Sequence, residues 1–216
     1  MAKDQSNKIV ESYIDYVLTH GEKPKSVYAF TKANKMKETD FYDHFSSFEH
    51  LEEGIWLLDL KTAIEKVKAQ EVWAQYSIRE KLLSFFYTYI EVLRAHRSFV
   101  SFAYQTENSM RSLTTSKIPK DVKRHFYEFC NELIAEGLET GEIKDRKQLN
   151  DRYKDAIWLQ FGFILNFWIK DSSKGFEKTD QAIEKGVNVT FDLITRNPLD
   201  NLIDYGKFLT QNSINI

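Results

Sequence analysis

Residues Lys25–Leu51 read KSVYAFTKANKMKETDFYDHFSSFEHL, and this stretch decides the fold. Ser26 is an N-cap residue type ahead of a short helix in which Val27, Phe30 and Ala33 face inward. Asn34-Lys35-Met36 forms a turn, with Met36 as its apolar plug. A third helix spans Glu38 to Phe45, with Phe41 and Phe45 on its inner face. Ser46 or Ser47 then opens a long helix through Phe48, Leu51, Ile55, Leu58, Ile64 and Val67, ending near Gln70. Two short helices around a tight turn make a helix-turn-helix.

Upstream, Ile9, Val10, Tyr13, Ile14, Val17 and Leu18 recur at helical spacing from Asn7 to Thr19, and Gly21 stops that helix. Met1 to Ser6 read as a frayed end. Downstream, apolar periodicity predicts helices over Ser77–Ala95, Phe99–Tyr104, Pro119–Thr140, Leu149–Lys170 and Phe176–Thr195. A short last helix follows Asn197-Pro198 and carries Leu199, Leu202 and Phe208. Gln105 to Lys117 is a Ser/Thr-rich joint.

With 8 Gly, 3 Pro and no alternating β pattern in 216 residues, the fold class is all-α. It comprises an N-terminal three-helix head, residues 1–47, and a larger helical body, residues 48–216. The second half of Leu149–Lys170 is apolar nearly all round and must be covered on both sides; its own domain can cover one, and a second subunit could cover the other.

Composition narrows the function. A net charge of −2 excludes a generic polyanion binder. The single Cys130 cannot form an internal disulfide, which fits a reducing compartment. Ala156 to Ile169 is the longest charge-free apolar run and falls short of the roughly 20 residues a membrane span needs. No secretory leader is apparent. His-Glu-x-x-His, paired cysteines and a Gly-rich phosphate loop are all missing, so no catalytic residue, metal or cofactor is expected. Sixteen Phe, 11 Tyr and 4 Trp supply core, and could line a pocket for an apolar ligand.

The stretch Phe30-Thr31-Lys32-Ala33-Asn34-Lys35-Met36, then Phe41-Tyr42-Asp43-His44-Phe45 and Glu49-His50-Leu51, resembles the DNA-binding domain of the TetR family of bacterial transcriptional regulators. Leu138–Ile143, Phe167–Asp171 and Gly175–Thr179 are similar to that family's C-terminal domain. The resemblance implies a cytoplasmic bacterial homodimer that binds palindromic double-stranded DNA and is controlled by a small, hydrophobic ligand. It implies DNA contacts from Ser26, Lys37, Thr39, Tyr42 and His44. The implied ligand pocket is lined by Phe86, Tyr89, Phe102, Phe129, Trp158 and Phe161, and the dimer interface by Phe163, Phe167, Val187 and Phe191.

The chain departs from the family pattern in its polar residues. The turn glycine is Lys35, with Asn34 expected to take the left-handed conformation in its place. The lysine that opens the fourth helix is Phe48. Through Glu52 the head carries seven lysines against nine acidic residues, and the first arginine in the chain is Arg79. Any DNA binding would therefore depend on lysine. A second reading stays open: a dimeric helical small-molecule or protein-binding module without DNA affinity.

Overall fold

The computed structural model describes residues 2–106, 118–146 and 149–195, and among these there is no strand. The helices are α1 (Ala2–His20), α2 (Val27–Ala33), α3 (Glu38–Tyr42), α4 (Phe48–Lys68), α5 (Ile78–Arg94), α6 (Arg97–Thr106), α7 (Lys120–Thr140), α8 (Asn150–Lys170) and α9 (Glu177–Thr195). The last helix expected after Asn197-Pro198 lies outside the described residues, as does most of the expected joint ahead of α7. α1 begins five residues earlier than its periodicity predicts, and α3 closes at Tyr42, short of Phe45.

Local chemistry accounts for the helix ends. Ser26 Oγ accepts the Ala29 N–H at 3.1 Å, and Ser47 Oγ accepts the His50 N–H at 3.2 Å. The His50 ring returns the favour by accepting the Ser46 N–H. Ser77 and Glu80 cap α5 reciprocally: Ser77 Oγ accepts the Glu80 N–H, and the Glu80 carboxylate accepts the Ser77 N–H at 2.8 Å. Gly141, at φ 77°, ends α7 in the left-handed conformation that only glycine adopts freely.

Two apolar clusters organise the molecule. The head cluster holds Ile9, Tyr13, Val17, Phe30, Phe41, Phe45, Phe48, Leu51 and Ile55, together with Phe99 from α6. The body cluster is built on α5, α7, α8 and α9, joined by Trp56, Leu60 and Ala63 of α4. α4 therefore gives its first turns to the head and its later turns to the body, where it packs on α5 and α7. The neighbours Phe99 and Val100 divide in the same way, Phe99 facing the head and Val100 the body. At this junction His96 Nε2 lies 2.9 Å from the buried Asp59 carboxylate, tying the α5–α6 corner to α4. Burial pushes the Asp59 carboxyl up, while the hydrogen bond and charge of His96 pull against it.

The α8–α9 corner is pinned by Arg97. Its Nη2 donates to the carbonyls of Trp168, Ile169 and Asp171 at 3.0–3.1 Å, at the end of α8 where carbonyls lack the next helical turn. The same guanidinium lies over the rings of Trp168 and Phe176.

Several expected inward positions lie elsewhere. Leu58 is 57 % exposed, Leu18 is exposed, and Ala33 faces solvent while Thr31 is buried in its place. Thr31 can be buried because its hydroxyl donates within its own helix, to Val27 O at 2.9 Å.

Candidate nucleic-acid interface

The head is assembled from rings. Phe48 stacks on Tyr13 with centroids 5.3 Å apart and meets Phe30 and Phe41 edge-on at 5.5 and 5.3 Å. Its place at the start of α4 thus serves packing, and burying such a side chain stabilises by roughly 2–3 kcal/mol. Tyr13 also donates to Glu52 at 2.6 Å, and Lys23 donates to the other Glu52 oxygen at 2.7 Å. α1, the loop after it and α4 are locked together by this network.

The turn between α2 and α3 is a complete Schellman motif. The Met36 N–H donates to Thr31 O at 2.8 Å and the Lys35 N–H to Lys32 O at 3.2 Å. The left-handed residue is Lys35, at φ 54°, and not Asn34, at φ −92°. Asn34 stays near-helical because its side-chain amide donates to Phe30 O at 2.8 Å, which holds it on the end of α2. Lysine thus occupies a position where glycine carries no steric penalty.

On the outer side, Ser26, Lys37, Thr39 and Tyr42 are exposed, Tyr42 by 54 %, and His44 is half-buried. The Ser26 hydroxyl oxygen already accepts an N-cap bond, which leaves its hydrogen to donate. The acids from Glu38 to Glu52 divide into three kinds. Glu49 and Glu52 face Lys23. Asp40 accepts the Lys37 N–H at 2.9 Å and so caps α3. Glu38 at the start of α3 and Asp43 just past its end remain exposed. Lys25, Lys35 and Lys37 have no ion-pair partner among the described residues, and Lys32 lies over the Tyr28 ring.

In the body, Phe86, Tyr89, Phe129, Trp158 and Phe161 are buried and packed on one another. Phe161 stacks on Tyr89 at 5.0 Å and on Trp158 at 5.2 Å. They form solid core, with Phe85 and Phe126 filling the gaps. Tyr89 Oη and Trp158 Nε1 are buried there without a hydrogen-bond partner among the described residues. Phe102 packs against the head cluster instead, because α6 turns it toward α1.

Comparison with known proteins bears on the body. The family described as "Tetracyclin repressor-like, C-terminal domain" matches residues 81–209, more than half of the chain. The chain belongs to the TetR family. A search of curated proteins gives no match. Among solved structures, a protein with unknown function from Rhodococcus sp. RHA1 shares the fold, with a TM-score of 0.58 at 12 % identity, over 89 % of this chain and 96 % of that one.

The matched TetR-family region includes a surface that periodicity only partly located. α8 and α9 pack side by side and leave an open apolar groove of about 840 Å³ between them. Its α8 wall is Ala156, Leu159, Gln160, Phe163 and Phe167, and its α9 wall includes Ala182, Gly186, Val189, Thr190 and Leu193. Leu159, Phe163, Val189 and Leu193 are 60, 55, 61 and 42 % exposed. Phe163 and Phe167 line this groove. Val187 does not: it is fully buried in the body core, and Phe191 is half-buried against it. The outward α9 residues are Val189 and Leu193. One apolar residue in each turn of α9 serves the core and another the groove, so periodicity alone could not separate them.

Proposed function

We propose that this TetR-family chain is a one-component transcriptional regulator. Two copies associate through the α8–α9 face, each head enters the major groove of one half of a palindromic operator, and a small apolar ligand bound in the body controls the complex. The head carries this reading: an aromatic-cored helix-turn-helix that projects Ser26, Lys37, Thr39 and Tyr42 outward, with Lys35 and Lys37 beside the turn free of ion pairs among the described residues. Ser26 and Tyr42 contact phosphate, His44 lies against the backbone, and Lys37 and Thr39 reach base edges from the start of α3. The apolar face of α8 and α9 supports the dimer, since exposed stripes of this kind mark interaction surfaces.

The ligand locus is the aromatic cluster, where Tyr89 Oη and Trp158 Nε1 offer polar contacts to a molecule that parts the rings. α4 carries the response. It is shared by both clusters, and Asp59 fastens it to His96 at the α5–α6 corner. Two recognition helices must sit about 34–36 Å apart on DNA, so a small pivot of α4 spoils the fit.

Binding of the purified protein to DNA from upstream of its own gene, followed by fluorescence anisotropy over a salt series, tests this. Specific binding that weakens steeply with salt is expected. Affinity equal to that for scrambled DNA, with and without candidate apolar ligands, would overturn it. That result would favour a dimeric binding module without DNA affinity, a reading supported by the exposed Glu38 and Asp43 at the two ends of α3 and by the absence of arginine from the head.

A further inference from the structure

The α8 wall of the groove contains one residue that does not belong with the others. Ala156, Leu159, Phe163 and Phe167 are apolar, whereas Gln160 carries a carboxamide. Gln160 is only 7 % exposed, and neither its Oε1 nor its Nε2 has a hydrogen-bond partner among the described residues. The side chain lies along Gly186 of α9, where even a Cβ would come within 3.0 Å of Nε2. A buried carboxamide with both ends unpaired is unfavourable in the isolated subunit. It borders the open groove.

We infer that Gln160 lies on the two-fold axis of the homodimer and hydrogen-bonds Gln160 of the partner subunit. The inference rests on the dimer proposed above. In a two-fold dimer, a residue near the axis faces itself. A carboxamide suits that position because it has one donor end and one acceptor end. Each Nε2 donates to the opposite Oε1, so two reciprocal bonds satisfy all four atoms. A lone polar pair in an otherwise apolar seam sets its register, since any slip buries the amides unpaired. Gly186 supplies the room the amide needs.

Charge substitution tests the self-pairing. Gln160→Glu and Gln160→Lys each set like charges opposite one another, and each is expected to weaken the homodimer at neutral pH by at least about tenfold in Kd. Mixed together, the two variants should form a heterodimer well above its statistical share, as read by native mass spectrometry. Gln160→Leu keeps the size without charge, and should dimerise at least as tightly as the parent protein. Circular dichroism confirms that each variant is folded. Glu and Lys variants that dimerise like the parent, or that mix without preference for the heterodimer, place Gln160 off the axis and overturn the inference. A parent protein that is monomeric at tens of micromolar instead removes the dimer itself.

Discussion

The turn at residues 34–36 offers a sharp test, because neighbouring positions should respond with opposite sign. An L-residue in the left-handed region costs roughly 1–2 kcal/mol. Lys35 sits there at φ 54°, exposed and without an ion pair among the described residues, so Lys35→Gly removes the penalty and breaks no contact. Against this, glycine raises the entropy of the unfolded chain by about 0.5–1 kcal/mol. The net expectation is a stabilisation of about 0.5–1 kcal/mol, or a Tm rise of about 1–4 °C for a chain of this size. Asn34→Gly carries the same entropic cost with no strain to relieve, since Asn34 has φ −92°. It also loses the 2.8 Å bond to Phe30 O, for a total cost of about 1.5–2 kcal/mol. Urea titration of both variants, with hydrogen exchange on the amides of α2 and α3, reads the difference. A destabilising Lys35→Gly beside a stabilising Asn34→Gly would refute the assignment of the left-handed residue. If Lys35 also contacts phosphate, the stabilised variant should bind DNA with a salt slope lower by about one.

Gly137→Ala should destabilise by about 1–2 kcal/mol net of its gain in helix propensity, because the new Cβ would lie 2.6 Å from Ile143 Cδ1; thermal unfolding checks this. Burial alone would raise the Asp171 carboxyl, but bonds from Ser173 and from the Thr179 N–H and hydroxyl outweigh it and hold it at about 2. That stability is present above the unfolded pKa near 3.9 and is lost as pH falls toward 2. Asp171→Asn should therefore lower stability by about 2 kcal/mol at neutral pH and flatten the acid limb of the stability profile. Lys37→Ala and Tyr42→Phe should each weaken operator binding by about fivefold to tenfold, measured by anisotropy, with no change in Tm beyond about 1 °C.

Much of the fold was legible because it is local. Ser26 and Ser47 open helices by accepting N–H groups three residues on, and Gly141 closes one through its left-handed φ, and these local devices hold whatever surrounds them. The same is true of the apolar set Phe30, Phe41, Phe45 and Leu51, whose spacing defines one inner face for the head. Lys37, Thr39 and Tyr42, which the TetR resemblance implied as DNA contacts, are all exposed. The candidate pocket was less legible. Aromatic content cannot distinguish rings that line a space from rings that fill it, and Phe86, Tyr89, Phe129, Trp158 and Phe161 fill it.

By itself, then, the sequence determined the helices, the caps at Ser26 and Gly141 and the place of the turn that makes a helix-turn-helix. Tertiary structure decided which of two apolar faces is covered. On α9, Val187 and Val189 are equally apolar and two residues apart, and only the placement of α5 and α8 puts one in the core and the other in the groove. It also decided that Lys35 takes the strained conformation, because the fixed entry of α3 and the bond from Asn34 to Phe30 leave the left-handed residue no other position. Periodicity reports one helix at a time, and burial depends on what the other helices bring to it.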